Sequence, residues 1–144
     1  MAVTSIMCTS FKIALLDGEM DFSSDTALSF KVALYTSSST IGAATTVYTT
    51  TDEASGTGYT AGGAAVTIAA NPTSSGTTAY LDLDNVTWGS SSITARKALI
   101  YSADGVTNPA IAVIDFGADV QSSEGNFVIT MPAGDANNAI IRLG

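Results

Sequence analysis

In "TDEASGTGYTAGG", residues 51–63, Gly56, Gly58 and Ala61 satisfy the loose dinucleotide-binding spacing G-x-G-x-x-G/A. Asp82 stands about 20 residues further on, where a ribose-binding acid would fall. Such a loop holds a pyrophosphate only if a strand precedes it and a helix N-terminus behind it faces the phosphates. Here Gly62 and Gly63 follow, then "AAVTIAA", then Asn71-Pro72. That interval is shorter than the crossover of about 10–12 residues that a parallel strand pair needs. Val66 and Ile68 also alternate with Ala65 and Thr67, a strand pattern. Gly56, Gly58, Gly62 and Gly63 therefore read as structural turn or bulge positions that need positive φ or close backbone approach. No cofactor is expected.

The other residues able to do chemistry are few. The chain has no histidine, so a Ser-His-Asp triad is excluded and the commonest general base is missing. Cys8 is the only cysteine; it can neither staple the fold nor chelate zinc alone, and it reads as a half-buried free thiol. Asp82 and Asp84 in "YLDLDN" project from one face of a strand, opposite Leu81 and Leu83. With Asn85 they are weak candidates for a hard cation such as calcium, although the spacing is not that of an EF-hand. The plainer reading is a solvated strand face whose like charges discourage edge-to-edge pairing. "DGEMDFSSD" gathers Asp17, Glu19, Asp21 and Asp25 in what reads as a solvated loop, while Asp115 and Asp119 read as strand-end and turn residues. No catalytic residue is expected, and the chain reads as a non-enzyme.

Thirteen acidic residues stand against five Lys or Arg, a net charge of −8, and no basic cluster exceeds Arg96-Lys97. A surface of that sign repels phosphate backbones and anionic lipids, so neither nucleic acid nor membrane is an expected partner. No apolar run approaches the roughly 18 residues of a membrane span. "MAVTSIMCTSF" lacks the basic and apolar regions of a secretory signal, so a soluble chain made in a cytoplasm is expected. Asn85-Val86-Thr87 accordingly reads as an unmodified glycosylation acceptor. Trp88, Tyr48 and Tyr59 are the positions offered for partner contact, because Trp and Tyr dominate interface hot spots. The same rings would equally complete a core with their polar tips in water.

What must position these residues is mostly β structure. Ser and Thr supply 37 of 144 residues, Thr favouring strands and Ser turns. One helix is expected in "TSFKIALLDGEMDF", capped by Thr9 or Ser10, striped by Phe11, Ala14 and Leu15, and ended by Gly18. Period-two alternation in "ALSFKVALY" then predicts a strand with one buried side. Further strands are expected at 47–51, 64–70, 78–84, 93–102, 110–116, 125–131 and 139–143. Turn clusters such as "NPTSSG" and "WGSSS" separate them. "KALIY" and "AIAVIDF" are apolar on both faces, so they should lie centrally or be covered by the helix or a neighbouring subunit. The sum is a mainly β chain: an N-terminal arm at 1–8, then one antiparallel β-sandwich domain, jelly-roll-like, at 9–144 with a short N-terminal helix.

Over residues 10–117 the chain resembles small virion structural proteins of tailed bacteriophages. The stretches that carry the likeness are "SFKIALL", "SFKVALYTSSSTIGAATTVYTTTDEASGTGYTAGG", "NPTSSGTTAYLDLDNVTW", "ITARKALIY" and "AVIDFG". The resemblance implies a capsid cement or decoration protein, a homotrimer on the outside of the shell that clamps major capsid subunits. It also implies that the Gly56-to-Gly63 stretch is a structural loop. Localisation would then be the virion, on the capsid surface. A tail, head–tail adaptor or fibre-base component is the alternative. A carbohydrate-recognising sandwich using Asp82, Asp84, Asn85, Trp88 and calcium is a third possibility.

Overall fold

The computed structural model describes residues 3–23 and 28–144. Its elements in chain order are β1 (Thr4–Met7), α1 (Thr9–Asp17), β2 (Phe30–Tyr35), β3 (Gly56–Thr57), β4 (Ala64–Val66) and β5 (Ile68–Ser75). They continue with β6 (Thr78–Leu83), β7 (Val86–Ser102), β8 (Ala110–Gln121), β9 (Gly125–Ile129) and β10 (Arg142–Leu143). The protein is mainly β with one short helix, and every strand pairing is antiparallel. The sheets are unequal. One has seven strands along β1-β8-β7-β2-β4, with β3 and β9 added to β7; the other is β10-β6-β5. Leu81 and Leu83 of the small sheet share one core with Val32, Leu34, Leu99 and Ile100 of the large one.

The spine is β7, which is longer than its pattern suggests. Its first half pairs with β9 and β3, its second with β2 and β8. "WGSSS", expected as a turn, lies inside it. The chain absorbs Gly89-Ser90 as a bulge, with a register shift between Trp88 and Ser91 and Ser90 at φ 48°. Ser91 is fully buried there; its hydroxyl lies 3.0 Å from the carbonyls of Trp88 and Gly125 and 2.8 Å from Ser122 Oγ. Those contacts satisfy groups that the broken ladder leaves open.

The apolar strands are covered on both faces. Ala98, Leu99, Ile100 and Tyr101 of β7 are buried, as are Ala110, Ile111, Ala112, Val113 and Ile114 of β8. On β2, however, Ala33 and Tyr35 are as buried as Val32 and Leu34, so the expected exposed side is absent. The helix supplies part of the cover. Phe11 meets Phe22 edge-on at 5.7 Å, and Phe22 stacks on Phe30 at 5.0 Å.

The helix keeps its expected stripe and stop. Phe11 is buried, and Gly18 closes α1 in the left-handed region at φ 76°, its N–H bonding Leu15. The start differs: Cys8 is the N-cap and its side chain does not cap the helix, its thiol donating to the Gly42 carbonyl, while the Ser10 hydroxyl donates to the Thr45 carbonyl. Cys8 is fully rather than half buried, and burial pushes its thiol up to about 11. Within the arm expected at 1–8, Thr4–Met7 pairs with β8 of the same chain as the edge strand β1.

Three further boundaries move. Residues 47–51 form a loop whose β-type pairing is reduced to a bridge from Val47 to Pro109. The run at 64–70 splits at Thr67, where the chain leaves β2 and crosses to the small sheet. "NPTSS" continues β5, which Pro72 permits because β5 lies at the edge of its sheet, and the turn narrows to Gly76-Thr77. At the C-terminus, strand pairing shrinks to Arg142–Leu143. The β7–β8 turn is held by Asp104, whose carboxylate accepts backbone N–H groups of Val106, Thr107 and Asn108. Those bonds, the one from Asn108 foremost, lower its pKa to about 2.

Candidate functional site

The glycine loop closes on a carboxylate. Glu53 precedes the loop and bridges to Tyr35 at the end of β2. Beyond it, β3 pairs with Ser92 and Ile93 of β7. This approach is close enough that a Cβ on Gly56 would fall on the Ser92 carbonyl. Gly58 packs against the Ser91 backbone. At Gly63, φ 78°, a Cβ would fall on the Val32 carbonyl, so only glycine lets the loop cross β2. The four glycines thus occupy the positive-φ and close-approach positions read from the sequence.

Pressed between β2 and β7, the loop brings three donors to one side chain. Tyr48 Oη donates to Glu53 Oε2 at 2.6 Å, while Tyr59 Oη and the Gly62 N–H donate to Oε1, each at 2.7 Å. Around this centre the Leu34 N–H donates to Tyr59 Oη at 2.9 Å. Tyr101 Oη donates to the Gly62 carbonyl and Tyr35 Oη to the Thr49 carbonyl, both at 2.6 Å. The rings of Tyr48 and Tyr101 stack at 4.8 Å. Burial first, and the Glu53 carboxylate second, hold Tyr48 and Tyr59 well above the usual phenol range. Burial likewise raises Tyr35 and Tyr101. The phenols are therefore neutral donors at ordinary pH, and the donors to Glu53 come from the chain itself. Chemically the cluster is a clasp: it fastens the loop to β2 and β7.

Of the proposed contact residues, Trp88 is 5% exposed and packs between Tyr59 at 6.0 Å and Phe127 at 5.9 Å. Tyr48 and Tyr59 are half-buried with their hydroxyls turned to Glu53. Trp88 belongs to the core, while Tyr48 and Tyr59 pack against it and remain partly exposed. Glu53, Tyr35 and Tyr101, the remaining members of the cluster, were not legible as site residues. The available signal was the position of Glu53 directly before the glycines.

The acidic candidates are not brought together. Asp82 is half-buried against Gly134, where an added Cβ would overlap its carboxylate. Asp84 accepts the Thr67 hydroxyl, and Asn85 Oδ1 accepts the Met131 N–H at 2.8 Å. Asn85 is thus engaged with the Met131 backbone and Trp88 is buried. Among the described residues, no group of three or more His, Cys, Asp or Glu is placed to hold a metal. Asp17 and Glu19 are exposed, Asp21 accepts the Ser23 N–H and hydroxyl, and Asp25 lies outside the described residues. Asp115 accepts the Gly117 N–H, and Asp119 pairs with Arg96 at 3.0 Å on the surface, a contact of little energetic weight.

A groove of about 660 Å³ runs between β1, the outer half of β8, and β9. Val3, Ile114, Phe116, Val120 and Val128 form its apolar floor and walls. Its polar lining is hydroxyl, amide and the Arg142 guanidinium, without a carboxylate or thiol among the described residues. Comparison with known proteins finds no matching family model, no matching curated protein and no matching solved structure.

Proposed function

We propose that this chain is a structural protein of a tailed-bacteriophage virion. In this reading it binds the outside of the capsid as cement, as a homotrimer contacting the major capsid protein. The observation that carries the reading is the closure of the polar chemistry on itself. Glu53 takes its hydrogen bonds from Tyr48, Tyr59 and Gly62, so the strongest constellation in the molecule holds the fold. The surface carries apolar grooves, and charged side chains are only 12% of the chain, so little rotamer freedom is lost where such grooves pack. The phage-like stretches "SFKVALY" and "ITARKALIY" lie in β2 and β7, and "SGTGYTAGG" forms the clasp loop. The likeness thus falls on the parts that build the scaffold.

Cement acts by linkage, because a protein that binds only the assembled shell stabilises that shell by mass action. The test is co-sedimentation of the purified protein with expanded shells lacking it, counting the copies bound per shell. Saturation at a regular multiple of the shell's local symmetry sites is the expected result. Binding of a few copies at one vertex would move the protein to the tail or adaptor, and absence of binding would overturn the capsid reading.

A further inference from the structure

The β5–β6 hairpin differs from the rest of the surface. From residue 69 to residue 77 every residue is exposed, so this part of the hairpin is bathed on both faces. Among the described residues its third strand is the two-residue β10, which pairs at Tyr80 and Ala79. A two-stranded ribbon of this kind is marginal in water unless something packs on it. The hairpin also lies in the longest charge-free stretch of the chain, residues 54–81, although the whole carries −8. Strand alternation puts Ser74 and Ala79 on the face that continues from the buried Leu81 and Leu83, while Ser75 and Thr78 take the other. Beside the first face runs an apolar groove of about 490 Å³ lined by Leu15, Met20, Phe22, Pro72, Leu81 and Leu143. Among the described residues its charged lining is one carboxylate, Asp21, and one guanidinium, Arg142, which balance.

We infer that this hairpin face and its groove form the surface on which a second copy of the same chain packs. Charge selects the occupant. Two copies of a −8 chain repel each other wherever acidic surfaces meet, and a neutral face of Ala, Ser, Thr and Leu lets them approach without that penalty. A basic partner would gain nothing by choosing it. Pro72 and the two register shifts in β5 blunt the strand edge, so the contact is face to face rather than a continued sheet. The inference deepens the virion reading, on which its biological setting rests. The association itself is measured without shells, so failure of one does not mimic failure of the other.

Sedimentation equilibrium of the full chain at about 0.1 mM is expected to give a multiple of the single-chain 14.6 kDa. Association should tighten as sodium chloride rises from about 10 mM to 1 M, because screening shortens the reach of the repulsion from about 30 Å to 3 Å. The double variant Ser74→Glu, Ala79→Glu, and separately Ser74→Lys, should sediment as single chains, and should melt like the parent once both are diluted to single chains. Ser75→Glu, on the other face, should associate like the parent. A single-chain mass for the parent, a Ser74→Lys chain that still associates, or weakening by salt would each overturn the inference. The last would point instead to a partner of opposite charge.

Discussion

The Glu53 clasp and the β5–β6 hairpin occupy neighbouring parts of the chain and are built on opposite principles. In the clasp, a carboxylate, four tyrosines and two backbone carbonyls saturate one another between two strands. In the hairpin, short uncharged side chains face water on both sides. Partial burial makes each polar group in the clasp costly to leave unpaired, so its geometry is over-determined. The hairpin makes few demands of its own, which leaves its surface free for another molecule. Small and glycine-rich sequence thus has two uses here. In one it lets backbones touch; in the other it keeps a surface smooth and neutral.

The largest test of the contrast is Gly63→Ala. A Cβ there meets the Val32 carbonyl at a left-handed φ, and the expected loss is about 3–4 kcal/mol. Thermal melting should report it as a fall of about 10 °C. Glu53→Ala comes next, at about 2–3 kcal/mol, because two phenols and the Gly62 N–H lose their acceptor together. Tyr59→Phe should cost about 1–2 kcal/mol, and a double-mutant cycle with Glu53→Ala should show the two losses to be strongly non-additive. Additive losses would break the description of the cluster as one unit.

The clasp also predicts an alkaline limit. Burial, joined in Tyr48 and Tyr59 by the bond to Glu53, raises these phenols in the folded state above their unfolded value of about 10. A raised folded pKa stabilises fully below the unfolded value, and that stabilisation is lost as pH climbs through the folded one. The melting temperature should therefore show no tyrosine-linked change between about pH 6 and 9 and fall above about 10. In Glu53→Ala the fall should be shallower. At the small end, Ser74→Ala and Thr77→Ala in the hairpin should change the chain's stability by less than about 0.5 kcal/mol. A larger effect would show the hairpin to be part of the cooperative fold.

Much of the scaffold could be read in advance because it depends on local pattern. The stripe of Phe11, Ala14 and Leu15 with Gly18 behind it marked α1, and the apolar runs of β7 and β8 marked central strands. The glycines of 56–63 were identified as close-approach positions because the helix that would have made them a phosphate loop was missing. Where the pattern misled, a distant partner had overruled local preference. Gly89-Ser90 and Asn71-Pro72 look like turns, yet both continue strands, one stabilised by buried hydroxyls and the other tolerated at an edge.

By itself, then, the sequence determined a mainly β antiparallel chain with one helix, a glycine loop built for contact with backbone, and a strongly acidic balance. These follow from periodicity, steric freedom and charge, which act over a few residues or over the whole sum. Only the tertiary structure decided that Tyr35, Tyr48, Tyr59 and Tyr101 gather around Glu53 and that Trp88 turns inward. It alone decided, too, that Asp82 lies against Gly134 while Asp84 accepts the Thr67 hydroxyl. Hydrogen bonds between residues tens of positions apart depend on strand order and register, and neither is written in any local run of residues.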